Sequence, residues 1–196
     1  MSTADQLKAR GVALFTQGDY EQAVEVFRQA AAQYEDDGAA DMAAEMQVNL
    51  GLALHTLGHH DEALEQMNMA RAVFAQINDQ QRLAQTLGNM ARVYAKLGNT
   101  EQALTLYREA SAIFADLGDE ENYGQTVLAI ADLQLRSGQV MKAMATYEVG
   151  LDYVKQPNAR QKLMKKLLGL RNRFTGGELP PADDKPSAEA DADSAD

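Results

Sequence analysis

The chain has no cysteine and no tryptophan. Without thiols it has no disulfide, no cysteine-based zinc or iron–sulfur site and no thiol nucleophile. Proline is nearly missing from the body of the chain, since three of the four prolines lie beyond residue 179. Aromatic residues make up 6%, five Phe and seven Tyr. A chain poor in proline and aromatics, and rich in alanine, favours helix over strand. Long apolar runs are missing too, and no stretch approaches the roughly 18 consecutive apolar residues of a membrane span. The opening MSTADQLKAR is polar and mixed in charge, with no apolar leader, so a cytoplasmic location is the default expectation. Positive charge is in the minority: 18 Lys and Arg stand against 29 Asp and Glu, a formal net charge of −11. That balance argues against a general nucleic-acid or anionic-membrane binder, because phosphate contacts need a basic surface.

What is present is an internal repeat. Gly18, Gly58, Gly98 and Gly138 recur every 40 residues. Ala23, Ala63, Ala103 and Ala143 follow them, then Phe27, Met67, Tyr107 and Tyr147, then Ala30, Ala70, Ala110 and Gly150. A second series, Gly38, Asn78, Gly118 and Asn158, falls midway between the glycines. Gly and Asn tolerate the left-handed conformation that commonly ends a helix. Each interval of 20 residues therefore reads as one helix and a turn. Tyr20, Ala23, Val24, Phe27, Ala30 and Ala31 sit at the spacing of one helical face. Asp19 with Gln22, and Asn99 with Gln102, have the spacing of capping boxes. The spacing predicts four helical hairpins over about 3–38, 39–78, 79–118 and 119–156, together one domain of 1–157. The recurrent alanine lets two helices approach, and the large residue four positions on fills the adjoining gap.

This pattern resembles the tetratricopeptide repeat. Gly11, Gly51, Ala91 and Ala131 match its small position in the first helix, and Leu14, Leu54 and Tyr94 match the next, where Gln134 departs. The common repeat is about 34 residues with an early Trp; here the period is 40, and Leu7, Gln47, Leu87 and Val127 stand in place of Trp. The segments VNLGLALHTLGHHDEALEQ and TEQALTLYREA are closest to the longer variant of kinesin light chains, cell-polarity scaffolds and bacterial peptide-sensing regulators. The resemblance implies an all-α fold, a right-handed α-solenoid of four hairpins whose first helices line a concave face.

Two further segments follow. Residues 158–175 form a ninth helix candidate with six Lys or Arg and no acid. Leu163, Leu167, Leu170 and Phe174 share one face, which suits a helix capping the end of the stack; the alternative is a basic amphipathic helix that binds a membrane or a partner protein. Residues 176–196 hold seven acids, one Lys and three Pro. That composition cannot bury enough apolar surface to order itself and reads as a disordered acidic tail.

Catalytic chemistry finds no support. No P-loop, dinucleotide glycine fingerprint, GxSxG or HExxH occurs. His55 and His59 have the i, i+4 spacing of a metal pair, but Gly58 breaks that register, and solvated turn histidines are the reading for His55, His59 and His60. Neither a metal nor a cofactor is expected. The resemblance makes the inward positions of the first helices the candidate site for a protein or peptide partner: Lys8, then Asn49 and Leu52, then Gln85, Asn89, Arg92 and Lys96, then Gln125 and Asp132. Asn49 and Asn89 are equivalent across 40 residues. An Asn amide both donates and accepts, and so pairs with the backbone of an extended peptide. A carboxylate clamp of the kind found in the family is incomplete here, because Val12 stands where an Asn belongs. The expected function is a non-enzymatic interaction scaffold or adaptor. The alternatives are a peptide-responsive sensor and a self-assembling homo-oligomer.

Overall fold

The computed structural model describes residues 2–175. The acidic tail assigned to 176–196 lies outside the described residues. Nine helices and no strand occur among the described residues. They are α1 (Thr3–Gln17), α2 (Tyr20–Asp36), α3 (Ala40–Leu57), α4 (His60–Gln76), α5 (Gln80–Lys96), α6 (Thr100–Asp116), α7 (Glu120–Arg136), α8 (Val140–Tyr153) and α9 (Ala159–Thr175).

The turns explain the spacing. Gly18 has φ +89°, and the Asp19 N–H reaches back to the Leu14 carbonyl at 3.0 Å. This left-handed closure satisfies carbonyls at the helix end that would otherwise lack a partner. Asn78, with φ +56°, does the same without being glycine, and the Asp79 N–H meets the Phe74 carbonyl at 2.9 Å. Asn158 does not play that part. α8 stops at Tyr153, and the extended Val154 follows it. Asn158 instead opens α9 through a reciprocal box: its Oδ1 accepts from the Gln161 N–H at 3.0 Å, and its own N–H donates to Gln161 Oε1 at 2.8 Å. The box expected at Asp19 is also absent, since that side chain makes no cap bond. Ser2 and Asp5 form one at the start of α1.

The chain divides into two compact units, one reaching Leu106 and the other beginning at Tyr107. The division falls inside α6, and the repeat spacing carries no sign of it. In the first unit α1–α2 and α3–α4 form hairpins, and α2 packs on α3. Phe27, Ala30, Tyr34, Met46, Leu50 and Leu54 lie at the centre of its core. The small-and-large pairing is visible atom by atom. A Cβ on Gly11 would fall 2.7 Å from the Phe27 ring, and one on Gly51 would fall 2.9 Å from Met67 Cγ. In the second unit α7 and α8 form the hairpin. There Gly150 stands so close that a Cβ would meet Leu128 at 2.9 Å.

α9 packs through Met164 and Leu168, against Leu128, Ala131, Tyr147, Leu151 and Val154. The expected apolar face is not the packed one. Leu163, Leu167 and Leu170 stay exposed, and the Phe174 side chain lies outside the described side chains. The sequence shows two apolar rows on this helix, and only the surface of the α7–α8 hairpin selects between them.

Candidate partner-binding surface

Helices α3 and α5 pack against each other in the first unit, and their charged ends show that they run parallel. At the N-terminal end Arg82 donates to Asp41 Oδ2 at 3.2 Å and to Asp79 Oδ2 at 2.6 Å. Arg82 also lies over the Phe74 ring, 4.8 Å from its centroid. Burial pushes the Asp79 carboxyl up, but the bonds from Arg82 outweigh it and hold the group below its usual range. At the C-terminal end His55 of α3 senses Arg92 and Lys96 of α5. Burial, then His60, then these two cations hold the His55 imidazole below its ordinary value.

Between those ends lie the sequence-predicted residues. Asn49, Leu52 and Asn89 are half-buried, while Gln85, Arg92 and Lys96 are exposed. Arg92 Nη2 donates to Asn89 Oδ1 at 2.9 Å, so the arginine orients that amide without neutralising its own charge. The neighbours Leu50 and Met90 are buried, each 2% exposed. Lys8 differs from the rest. Its ammonium is 2.6 Å from Glu45 Oε1, an ion pair linking α1 to α3. Near it the Tyr34 hydroxyl donates to Asp5 Oδ1 at 2.8 Å. Burial and the Asp5 bond push the Tyr34 phenol up to about 12.

The remaining two predicted residues belong to the second unit and are engaged by α9. Arg160 donates to both oxygens of Asp132, at 2.7 and 3.1 Å. The Tyr147 hydroxyl donates to Asp132 as well. Gln125 accepts from Gln161 at 3.4 Å and donates to Glu121 at 3.1 Å. The basic helix read from the sequence as a separate element thus places its first turn on two positions read as partner contacts.

A family model described as SNAP, soluble NSF attachment protein, matches residues 2–168. The chain belongs to the SNAP family. Comparison with the curated proteins yields no match. Among solved structures, a kinesin-light-chain-like protein of Podosopora anserina with nearly identical TPR-like repeats is 18% identical, with a TM-score of 0.69 over 90% of each chain. BtubC of P. vanneervenii is 16% identical, with a TM-score of 0.69 over 97% of this chain and 87% of its own. Aspartyl phosphate phosphatase F of Bacillus subtilis is 14% identical, with a TM-score of 0.77 over 90% of this chain and 49% of its own. These likenesses show the fold, a TPR-type helical repeat.

The histidines of this SNAP-family chain behave differently from the sequence reading. His55 pairs with His60, not with His59: their Nδ1 atoms are 3.1 Å apart and their rings 4.9 Å apart. One ring must present a neutral nitrogen to accept the other's proton. His59 faces Glu62 at 3.5 Å instead. Among the described residues no three His, Asp or Glu come together as a metal site. No described helix is long and apolar enough to cross a membrane. The sequence reading passed over His55 and His60 as neighbours of Arg92 and Lys96. Their place across the turn between α3 and α4, His55 in the last turn of α3 and His60 opening α4, was the available signal.

Proposed function

We propose that this protein is a cytoplasmic, non-enzymatic adaptor that holds an acidic extended peptide or helix of a partner protein along α3 and α5. The contacts are Asn49, Leu52, Gln85, Asn89, Arg92 and Lys96. One observation carries the reading: the inward positions Lys8, Gln125 and Asp132 are bonded to side chains of another helix, Glu45, Gln161 and Arg160, whereas the polar bond seen within this set, from Arg92 to Asn89, stays inside α5. Lys8, Gln125 and Asp132 accordingly serve to hold helices together in this reading. Two neighbouring amides and a half-buried leucine suit a peptide backbone and one apolar side chain. Arg92 and Lys96 give this end of the surface a positive character in a chain of net charge −11, which favours a partner segment bearing carboxylates.

The test is affinity capture from lysate with the wild-type chain beside a variant carrying Asn49→Ala, Asn89→Ala and Arg92→Glu, with Glu65→Ala as a control on the exposed face of α4. A partner retained by wild type and by Glu65→Ala, and lost by the triple variant, supports the proposal. Equal retention by all three removes it.

A further inference from the structure

α9 carries two apolar rows, and only one is packed. Met164 and Leu168 close against Leu128, Tyr147 and Leu151, and Leu168 retains 4% exposure. Leu163, Leu167 and Leu170 stand at i, i+4 and i+7 and remain 58%, 51% and 52% exposed. At 3.6 residues per turn their row lies about 110° around the helix from the packed pair. Other exposed apolar side chains of the second unit, Leu117, Val140 and Met141, sit in a turn or at the first residues of a helix and form no row.

The charge around the row is distinctive. Lys162 and Lys166 follow one edge of it and Lys165 lies behind them. All three are exposed and without an ion-pair partner among the described residues. Arg160 is taken up by Asp132. At the N-terminal end of α7, Glu121 accepts the Lys155 N–H at 3.2 Å. Residues 158–175 hold six cations and no acid, in a chain that is otherwise acidic.

Three occupants compete for such a row. A second copy or a partner protein needs an area that three half-exposed leucines do not supply, since stable interfaces bury about 800 Å² per partner. They also need a shaped counterpart for a narrow ridge on a single helix. A bilayer surface needs neither. Its headgroup region accepts a ridge of leucines, while lysine stems reach up to anionic headgroups. We propose that α9 docks this protein on an anionic lipid surface, with Leu163, Leu167 and Leu170 entering the headgroup–acyl boundary and Lys162 and Lys166 meeting the lipid phosphates. The segment after α9, with seven acids and one Lys, opposes attachment through its charge.

Vesicle flotation of the full chain tests this, with phosphatidylcholine vesicles and with phosphatidylcholine–phosphatidylserine vesicles. The chain should float with the anionic vesicles, stay unbound with the neutral ones, and be released as salt rises to about 0.5 M. Lys162→Glu with Lys166→Glu should weaken binding by at least about 30-fold, taking each lysine near the surface at its usual worth. Leu163→Ala, Leu167→Ala and Leu170→Ala together should weaken it by about 10-fold or more while far-UV circular dichroism stays unchanged, because alanine favours helix. Deleting 177–196 should tighten it. Equal binding to both vesicle types, binding to neither, or a leucine variant that floats like wild type would overturn the proposal. Leucine-dependent self-association in sedimentation, without vesicle binding, would overturn it in favour of a second copy.

Discussion

The ring of Phe27 fills the space in which a side chain on Gly11 would begin. A Cβ there would stand 2.7 Å from ring atoms Cδ1 and Cε1, whereas a Cβ on Gly88 would meet nothing within 4 Å. Both glycines are helical, so both changes to alanine gain helix propensity, about 1 kcal/mol. At Gly11 the clash with a stiff ring exceeds that gain, overpacking of this kind costing about 1–3 kcal/mol. Urea unfolding should rank Gly88→Ala above wild type and Gly11→Ala below it. The reverse order would place the α1–α2 contact elsewhere.

Gln134 is the mismatch in the repeat, standing where Leu14, Leu54 and Tyr94 stand in the other hairpins. It is 1% exposed, and its Oε1 has no hydrogen-bond partner. An unsatisfied buried acceptor costs about 1–3 kcal/mol. Gln134→Leu should therefore stabilise the chain by an amount on that scale, seen as a higher midpoint in thermal unfolding. A lower midpoint would mean that the amide has a partner, such as a buried water.

The partner surface makes a separable prediction once a binding segment is in hand. Asn49→Ala with Asn89→Ala should leave the fold intact and weaken binding by about 1–3 kcal/mol, the scale of two hydrogen bonds lost in an interface. Arg92→Glu should weaken binding of an acidic segment further, and that added loss should shrink at high salt. Calorimetry at two ionic strengths reads both effects. An added loss independent of salt would contradict the acidic partner.

The His55–His60 contact makes stability depend on pH. Burial, His60, Arg92 and Lys96 hold the folded-state pKa of His55 below the ordinary 6.5. The unfolded chain then binds the proton more readily, so stability falls as pH drops from 6.5 toward the lowered folded value. Asp79, depressed below its ordinary 3.8, keeps its full contribution above that value and does not enter this window. The urea midpoint should fall between about pH 7.5 and about pH 5.5, and His55→Gln should flatten the fall. An unchanged slope in that variant would assign the pH dependence to other groups.

Helices and turns were legible because both rest on short-range rules. Gly or Asn at the turns and alanine at the close contacts act within one or two helical turns. The repeat displays each rule several times, which is why α1 to α8 could be placed. Sequence spacing was weaker wherever a residue had a choice of local partners. Asp19 has the spacing of a cap but makes no cap bond, and Asn158 starts a helix where its place in the series suggests an end. Of the candidate site, the α3 and α5 residues were readable from their register. The pairing of Lys8 with Glu45 and of Asp132 with Arg160 was not, since each joins residues 28 or more positions apart.

The sequence by itself determined the all-helical repeat, the position of its turns, the acidic balance and the isolated basic helix at 158–175. These follow from backbone tolerance, side-chain size and charge, which belong to residues one at a time. Only the tertiary structure decided which of two apolar rows of α9 is buried, which cations are already neutralised, and which histidines touch. Those outcomes depend on the surface that meets each helix, and a side chain's own chemistry does not specify the surface it will face.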